Sequence, residues 1–133
     1  MDNKLYILKV IKFQHMQDDE IQLSRKEPII MKDLHHEHVL QLVDYFEENN
    51  QMNMIYEKYE TSLMDRIYDL QKNNLIMPEE EKWRYLIQIA YCLRYLSNKR
   101  IVHRMLHTKK ILLDKNGKVK VTNLQWSCPV GDK

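Results

Sequence analysis

A group of histidines near the N-terminus contains the first side chains that could do chemistry. His35, His36 and His38 lie within four residues, and His15 precedes them as a possible fourth ligand. Imidazole nitrogens bind zinc, but structural zinc sites usually add cysteine ligands at fixed spacings. These histidines have neither the spacing nor the cysteine partners, so we expect no metal site.

Two further histidines and a cysteine also invite a chemical interpretation. His103 and His107 have the i, i+4 spacing of a zinc-binding helix, but no glutamate follows His103 and the segment is predicted to be a loop. Cys92 lies among apolar residues of a predicted helix without an apparent activating group, and Cys128 is far away in sequence. We expect Cys92 to be a buried, reduced thiol.

Glycine is scarce, which bears on phosphate binding. The chain has 2 glycines, Gly117 and Gly131, and both are isolated and late in the sequence. A loop that cradles phosphates needs several glycines so that its backbone can approach the anion. The sequence therefore predicts no glycine-rich nucleotide loop in this chain.

Length and composition indicate one globular domain. The 133 residues are 44% hydrophobic and 30% charged, with a formal net charge of +2. A balance so close to zero predicts no nucleic-acid or membrane-surface partner. No apolar run reaches the roughly 18 residues of a membrane span, and the N-terminus lacks the apolar core of a signal peptide. These patterns predict a cytoplasmic protein.

The first half of the chain reads as a strand, a helix and a hairpin. A β-branched and aromatic run predicts a buried strand over residues 5–13. Helical spacing predicts a helix over 17–34, in which Pro28 should kink the helix or end its first segment. Two strand-like runs on either side of 48–51, the second with alternating Met52, Met54 and Tyr56, predict a hairpin over 42–56.

The second half reads as two helices, a loop and a second hairpin. Ser62 and Asp65 predict a capped helix over 62–73. A longer helix is predicted over 79–98, with an apolar stripe formed by Leu86, Ile89, Ala90, Leu93 and Leu96. A loop over 101–110 leads to a hairpin over 111–122 with a tight turn at Asn116-Gly117, and an irregular tail follows. Strands first and helices later define an α+β fold.

Six short segments carry a family resemblance when they are taken in order. They are residues 6–9, Glu27, 34–39, 57–59, the pair 101–104 and 111–113, and 120–125. Together they resemble a protein kinase from its third strand to just past its metal-binding motif. The segments around 57–59 and the long helix are most similar to the NIMA-related serine/threonine kinases.

The resemblance implies a partial protein-kinase-like domain. Residues 1–60 would form part of the N-lobe, and residues 61–133 would form part of the C-lobe. The first two strands and the lower helical lobe of the family are expected to be missing. Four side chains would match the stack that joins the two kinase lobes, namely Met31, Leu42, His103 and Leu124.

The same resemblance assigns positions of a nucleotide site. Lys9 would hold phosphates and pair with Glu27, while Glu57 and Tyr59 would lie in the hinge. Leu112 would lie in the strand after the catalytic loop. Two interpretations of Lys9 and Glu27 stay open, a residual nucleotide site and a structural ion pair. Because Ile7 and Tyr56 add bulk where the base would lie, they favour the structural pair.

The departures from the family's pattern concern its chemistry. Met105 stands where the catalytic aspartate would accept a proton, and a general base is worth roughly 100- to 10,000-fold in rate. Lys110 replaces the asparagine that holds magnesium, and Asn123 replaces the aspartate of the metal-binding triplet. His107 and Gln125 replace the usual lysine of the loop and the glycine of that triplet. We therefore expect no phosphoryl transfer and no ATP or Mg²⁺ as cofactors.

The sequence thus predicts a protein that keeps part of a kinase's shape without its chemistry. The leading hypothesis is a catalytically inactive structural or scaffolding subunit of a larger protein assembly, with other proteins as partners. Family analogy suggests a microtubule or ciliary setting, with tubulin or axonemal proteins as partners and the cytoskeleton or axoneme as location. The alternative is a regulatory pseudokinase that docks a kinase or binds nucleotide without transferring phosphate.

Overall fold

The computed structural model of the chain describes residues 4–102, 106–122 and 128–129. The first four elements are β1 (Tyr6–Lys12), α1 (Asp18–Met31), β2 (Leu42–Glu48) and β3 (Gln51–Glu57). There follow β4 (Thr61–Ser62), α2 (Leu63–Lys72), α3 (Glu79–Asn98) and β5 (Ile101–Val102). A 3₁₀ turn (Thr108–Lys110) precedes β6 (Ile111–Leu113), β7 (Val119–Val121) and β8 (Cys128–Pro129). The predicted α+β class is confirmed.

The first sheet is antiparallel, with strand order β1-β3-β2. Asn49 and Asn50 join β2 to β3 with φ of 54° and 59°, which is the backbone of a two-residue hairpin turn that asparagine tolerates well. The prediction that the first strand is buried was wrong, because Leu8 is 59% exposed. The side chains of β1 alternate between exposed and half-buried, and an apolar run alone does not reveal such an edge position.

Helix α1 continues through its proline. It begins where Glu20 accepts a hydrogen bond from the Gln17 backbone N–H, at 2.9 Å. Of the two predictions for Pro28, the end of the helix is wrong, because α1 runs on to Met31; the predicted kink stays a prediction, and α1 stops short of the predicted end at residue 34. The proline ring lies on the buried face, and the Pro28 carbonyl still accepts the Lys32 N–H at 3.0 Å. Because proline has no backbone N–H, α1 lacks one helical hydrogen bond at Pro28, while the proline ring is buried.

A second sheet has the order β4-β6-β7. The loop between β6 and β7 is wider than the tight turn predicted at Asn116-Gly117. The Gly117 N–H donates to the Asp114 carbonyl at 3.0 Å, and the Asp114 carboxylate accepts the N–H groups of Asn116 and Lys118. Of these loop residues, Gly117 alone has a positive φ, at 78°, so the turn centres on Asp114 as much as on the glycine.

Two strand pairings were not predicted. The tail was predicted to be irregular, yet β8 pairs with β5 in an antiparallel ladder. Strand β4 pairs with β6 just before α2 begins. Both ladders have two-residue strands, which are too short to show a periodic pattern in sequence.

The face that α3 buries coincides with the predicted stripe only in part, at Leu96 and Ile89. Tyr85, Cys92 and Leu96 are buried, whereas Leu86 is 57% exposed and Leu93 is 38% exposed. Ile89 is half-buried and Ala90 is exposed. Apolar residues occur all around this helix, so their spacing alone could not select the buried face. Within the described residues, no helix has both the length and the apolarity that crossing a membrane requires.

One core joins the two sheets. Met31, Leu42, Met54, Leu112 and Val121 belong to a single cluster of buried apolar side chains. The backbone also connects the halves, because the Val121 N–H donates to the His38 carbonyl and the Leu40 N–H donates to the Val121 carbonyl. Met31 and Leu42 are therefore packed as the resemblance implies, whereas His103 and Leu124 lie outside the described residues. The division of the chain at residue 60 stays a prediction.

Candidate functional site

A cleft of about 400 Å³ opens between β1 and the segment that leads into β6. One part of its wall is apolar and the other carries three lysines. The lining residues are Ile7, Leu8, Lys9, Leu40, Tyr56, Tyr59, Lys109, Lys110, Leu112 and Thr122. The structure therefore brings Lys9, Tyr59 and Leu112 together, as the resemblance implies.

A carboxylate with three hydrogen bonds lies behind this cleft. Glu27 of α1 is fully buried, and the Lys9 ammonium of β1 donates to both of its oxygens, at 3.0 and 2.9 Å. The Tyr56 hydroxyl of β3 donates to Oε1 of Glu27 at 2.9 Å. Burial, followed by the Glu27 charge, raises the pKa of Tyr56, which keeps this hydroxyl protonated as a donor. We call these three residues the Glu27 triad.

Ile7 and Tyr56 both line the cleft, where the sequence predicted added bulk. Tyr56 is 2% exposed and points its hydroxyl at Glu27, so the cleft wall and the triad share this side chain. The ring and the ion pair therefore form one packed unit, which gives Tyr56 a structural role besides narrowing the cleft.

Glu57 does not line the cleft, although the resemblance groups it with the nucleotide site. Its Oε1 accepts the Gln41 N–H at 2.9 Å and lies 3.2 Å from the Lys120 ammonium. The Glu57 N–H in turn donates to the Gln41 carbonyl at 3.0 Å. This carboxylate therefore fastens the end of β3 to the segment before β2 and to β7.

Of the positions at which the resemblance implies a lost catalytic or metal-binding residue, Lys110 is the one that the described residues include on the cleft wall. Lys110 is the last residue of the 3₁₀ turn. At the start of that turn, the Lys109 N–H donates to Nδ1 of the His107 ring at 3.2 Å. Burial, and next the Lys9 charge, lower the pKa of Lys110. An ammonium donates three hydrogen bonds and accepts none, so Lys110 cannot ligate a cation. Met105 and Asn123 lie outside the described residues.

The histidines considered for a metal site have structural contacts instead. The buried His38 ring places Nδ1 3.0 Å from the Val119 carbonyl, and the His38 N–H donates to Nδ1 of His36 at 3.0 Å. His36 stacks on Tyr95, with ring centroids 4.7 Å apart. Burial lowers the pKa of His36, and the neighbouring His38 lowers it further. Among the described residues, no three or more potential metal ligands lie close enough together to hold an ion.

A second carboxylate with three hydrogen bonds was missed from the sequence. Arg66 of α2 donates to both oxygens of Glu81 in α3, each at 2.9 Å, and the Tyr85 hydroxyl donates to Oε2 at 2.6 Å. These contacts lower the pKa of Glu81 to about 2, chiefly through the Arg66 hydrogen bond. The i, i+4 spacing of Glu81 and Tyr85 was the available signal. We call these residues the Glu81 triad.

Comparison with known proteins identifies the family. Residues 2–128 match the family described as protein tyrosine and serine/threonine kinase. The chain therefore belongs to the protein kinase family, and the resemblance found in the sequence is confirmed.

The similar proteins include NIMA-related kinases. The chain is 28% identical over 120 residues to serine/threonine-protein kinase Nek1 of Mus musculus, covering 90% of this chain and 10% of that protein. It is 28% identical over 119 residues to serine/threonine-protein kinase Nek5 of Homo sapiens, covering 89% of this chain and 16% of that protein. Cyclin-dependent kinase 2 of Caenorhabditis elegans is 26% identical over 122 residues, 92% of this chain and 33% of that protein. The chain spans one third or less of these relatives.

Proposed function

We propose that this chain is a catalytically inactive member of the kinase family that serves as a structural or scaffolding subunit of a protein assembly. The observation that carries the proposal is Lys110 on the cleft wall. The resemblance aligns Lys110 with the asparagine that holds magnesium in the family, and an ammonium at that position would repel a cation. Phosphoryl transfer depends almost entirely on positioning and electrostatic stabilisation of the phosphates and their metal ions.

Two sequence features point the same way. Met105 offers no proton acceptor at the catalytic-base position, and Asn123 lacks the carboxylate charge of the metal triplet. A single loss could be offset elsewhere in a site, but base and metal ligands contribute to the same transition state. Activity is therefore expected to be absent rather than slow.

The scaffolding part of the proposal rests on exposed apolar surface. Trp83 is 61% exposed and Ile76, in the connection before α3, is 86% exposed. Exposed patches of large apolar side chains mark sites of protein association. Aromatic residues and methionine are also enriched at such sites.

A phosphoryl-transfer assay tests the first part. The 133-residue chain is incubated with radiolabelled ATP, Mg²⁺ or Mn²⁺ and a mixture of general protein substrates, next to an active kinase. We expect no transfer above the buffer signal. The matched control is Lys9→Met, since a trace signal that persists in this variant comes from a contaminant. A signal that Lys9→Met abolishes would overturn the proposal of inactivity.

A stoichiometry measurement tests the second part. The tagged chain is recovered from its native cells, and associated proteins are quantified. A scaffold subunit is expected to recover fixed partners at constant ratios. Recovery at substoichiometric, variable ratios of a single kinase would favour the regulatory alternative instead.

The regulatory alternative has its own support in the cleft. The Lys9–Glu27 ion pair is formed and a cleft of about 400 Å³ lies in front of it. A pseudokinase that binds nucleotide without transferring phosphate would use these features. Thermal unfolding with ATP, with and without Mg²⁺, checks this candidate, which predicts a clear rise in melting temperature that Lys9→Met removes.

The cellular setting is proposed by analogy alone. Family analogy with the NIMA-related kinases suggests a microtubule or ciliary assembly, with tubulin or axonemal proteins as partners. Localisation of the endogenous protein by immunofluorescence tests this, and a diffuse cytoplasmic signal without enrichment on microtubules or cilia would count against it.

A further inference from the structure

Helix α3 carries a second apolar face opposite its buried one. Trp83, Ile87 and Tyr91 follow one another at i, i+4 and i+8, and they are 61%, 50% and 54% exposed. This spacing places them on one stripe of the helix. Leu86, Ala90 and Leu93 widen the stripe on one side. A helix with apolar residues on all sides is normally buried, so this face is expected to have a partner.

Charged residues stand at the two ends of the same stripe. Glu80 lies three residues before Trp83, and Arg94 lies three residues after Tyr91. Both are exposed, and neither forms an ion pair with another of the described residues. At a rise of about 1.5 Å per residue, their Cα atoms lie about 21 Å apart along the axis. The stripe therefore runs from a negative end, through an apolar centre, to a positive end.

The spacing of these five residues is symmetric about Ile87. The steps Glu80–Trp83–Ile87–Tyr91–Arg94 are 3, 4, 4 and 3 residues long. In an antiparallel pair of these helices centred on Ile87, each Glu80 would face Arg94 of the other copy. Each Trp83 would face Tyr91, and the two Ile87 side chains would meet at the centre. Such a surface is complementary to itself, which is the condition for an interface with twofold symmetry.

We propose that the Trp83–Ile87–Tyr91 stripe binds a second copy of this chain in an antiparallel helix pair. The charges decide the orientation, because a parallel pair would place Glu80 against Glu80 and Arg94 against Arg94. An aromatic pair on each side of the centre adds contact area of the kind found at stable interfaces. The inference rests on the proposed function in one respect, since it names the partner of the surface that supports the scaffolding role.

The test is the association state of the 133-residue chain by sedimentation equilibrium over a concentration series. The wild type is expected to form dimers. Glu80→Arg and Arg94→Glu each create two like-charge contacts in a homodimer and should each weaken dimerisation about tenfold, equivalent to about 1.4 kcal/mol. Circular dichroism confirms that each variant is folded.

An equimolar mixture of Glu80→Arg and Arg94→Glu provides the sharpest check on the pairing. In a heterodimer of the two variants, the introduced arginine of one copy meets the introduced glutamate of the other. The second contact of that heterodimer is the native pair of Glu80 with Arg94. Both end contacts are then attractive again, so the mixture should regain wild-type affinity.

Two further variants test whether the stripe itself forms the interface. Lys82→Glu reverses an exposed charge on the same helix but off the stripe, and should leave dimerisation unchanged. Ile87→Asp places two carboxylates at the centre and should abolish the dimer. The proposal is overturned if the wild type stays monomeric over the whole series, if the single variants dimerise like the wild type, or if mixing them restores nothing. None of these outcomes bears on the phosphoryl-transfer assay, so failure of either proposal is recognised separately.

Discussion

The Glu27 triad and the Glu81 triad have the same composition in different regions of the molecule. In each, a glutamate accepts two hydrogen bonds from a cation and one from a tyrosine hydroxyl. The Glu27 triad joins β1, α1 and β3 behind the cleft, and its carboxylate is fully buried. The Glu81 triad joins α2 to α3, and its carboxylate side chain is 11% exposed.

The comparison changes how the Lys9–Glu27 pair is interpreted. Family resemblance assigns this pair to a nucleotide site, but the Glu81 triad has the same arrangement without lining the cleft. A cation, a carboxylate and a tyrosine are therefore sufficient to clamp neighbouring elements in this chain. The Tyr56 hydroxyl also binds Glu27, which favours the structural interpretation of this ion pair. We therefore expect both triads to act as structural clamps. The more buried Glu27 triad should contribute more to the free energy of unfolding.

The largest effect is expected from Glu27→Ala. Removing the buried carboxylate leaves the Tyr56 hydroxyl without its acceptor and the Lys9 ammonium without its partner. We expect the free energy of unfolding to fall by about 2–4 kcal/mol, less than for a fully buried ion pair because Lys9 still reaches solvent. Urea unfolding followed by circular dichroism measures it.

The control for this prediction is Glu47→Ala. Arg25 and Glu47 form a bidentate pair at 3.1 and 2.7 Å, but both side chains are 39% exposed. Such surface pairs contribute little, so this variant should stay close to the wild type. If Glu27→Ala were as mild as Glu47→Ala, the triad would not act as a structural clamp.

Lowering the pH should remove the contribution of the Glu81 triad to stability. The folded-state pKa of Glu81, at about 2, lies below its ordinary value of 4.5. Its contribution to stability is therefore fully present above about pH 4.5 and is lost as the pH falls toward 2. Glu81→Gln should destabilise the chain by about 1–2 kcal/mol at pH 6, a reduced figure because Arg66 is partly exposed to solvent. Urea unfolding between pH 6 and 2 should show the difference from wild type shrinking, and a constant difference would contradict the assignment.

The sequence could predict the first triad only through the resemblance. Lys9 and Glu27 were paired because their separation matches a family motif, and the strand and helix that carry them were found by periodicity. The Tyr56 hydroxyl was not assigned to Glu27, since nothing in the alternation of β3 shows which way a tyrosine's polar end reaches. Arg66 and Glu81 lie on different helices, and their contact depends on how α2 packs against α3.

The errors on α1 and α3 have a common physical cause. Local rules allowed α1 to end at Pro28 and placed Leu86 and Leu93 on the buried side of α3. Tertiary packing decided otherwise, because Pro28 is buried within α1 and because α3 turns Tyr85 and Cys92 inward together with the correctly predicted Leu96. Burial of Cys92 raises its pKa to about 12, as expected for the inert thiol predicted from the sequence. Packing preferences that involve two elements are not encoded in the pattern of either one.

Removing single hydroxyl groups compares the two triads at finer scale. Tyr56→Phe keeps the ring but removes one donor to Glu27, and Tyr85→Phe does the same for Glu81. We expect losses of about 1–2 kcal/mol for Tyr56→Phe and about 0.5–1 kcal/mol for Tyr85→Phe, since the buried acceptor cannot recruit water as a substitute. Urea unfolding of both variants checks the order, and a larger loss for Tyr85→Phe would show that burial does not set the ranking.

The smallest effect on stability is expected from replacing Lys110. Lys110 and Lys9 both line the cleft, and both are positively charged. Burial and the Lys9 charge lower the folded-state pKa of Lys110, which means that keeping Lys110 protonated costs the folded chain some stability. Lys110→Met should therefore stabilise the chain by about 0.5 kcal/mol, a gain that vanishes as alkaline pH removes the proton from wild-type Lys110. Lys109→Met, at an exposed neighbour on the same wall, is the matched control and should change nothing measurable. Loss of stability in Lys110→Met would contradict this prediction and show that the attraction of the Lys110 ammonium to Glu27 outweighs its burial and its repulsion by Lys9.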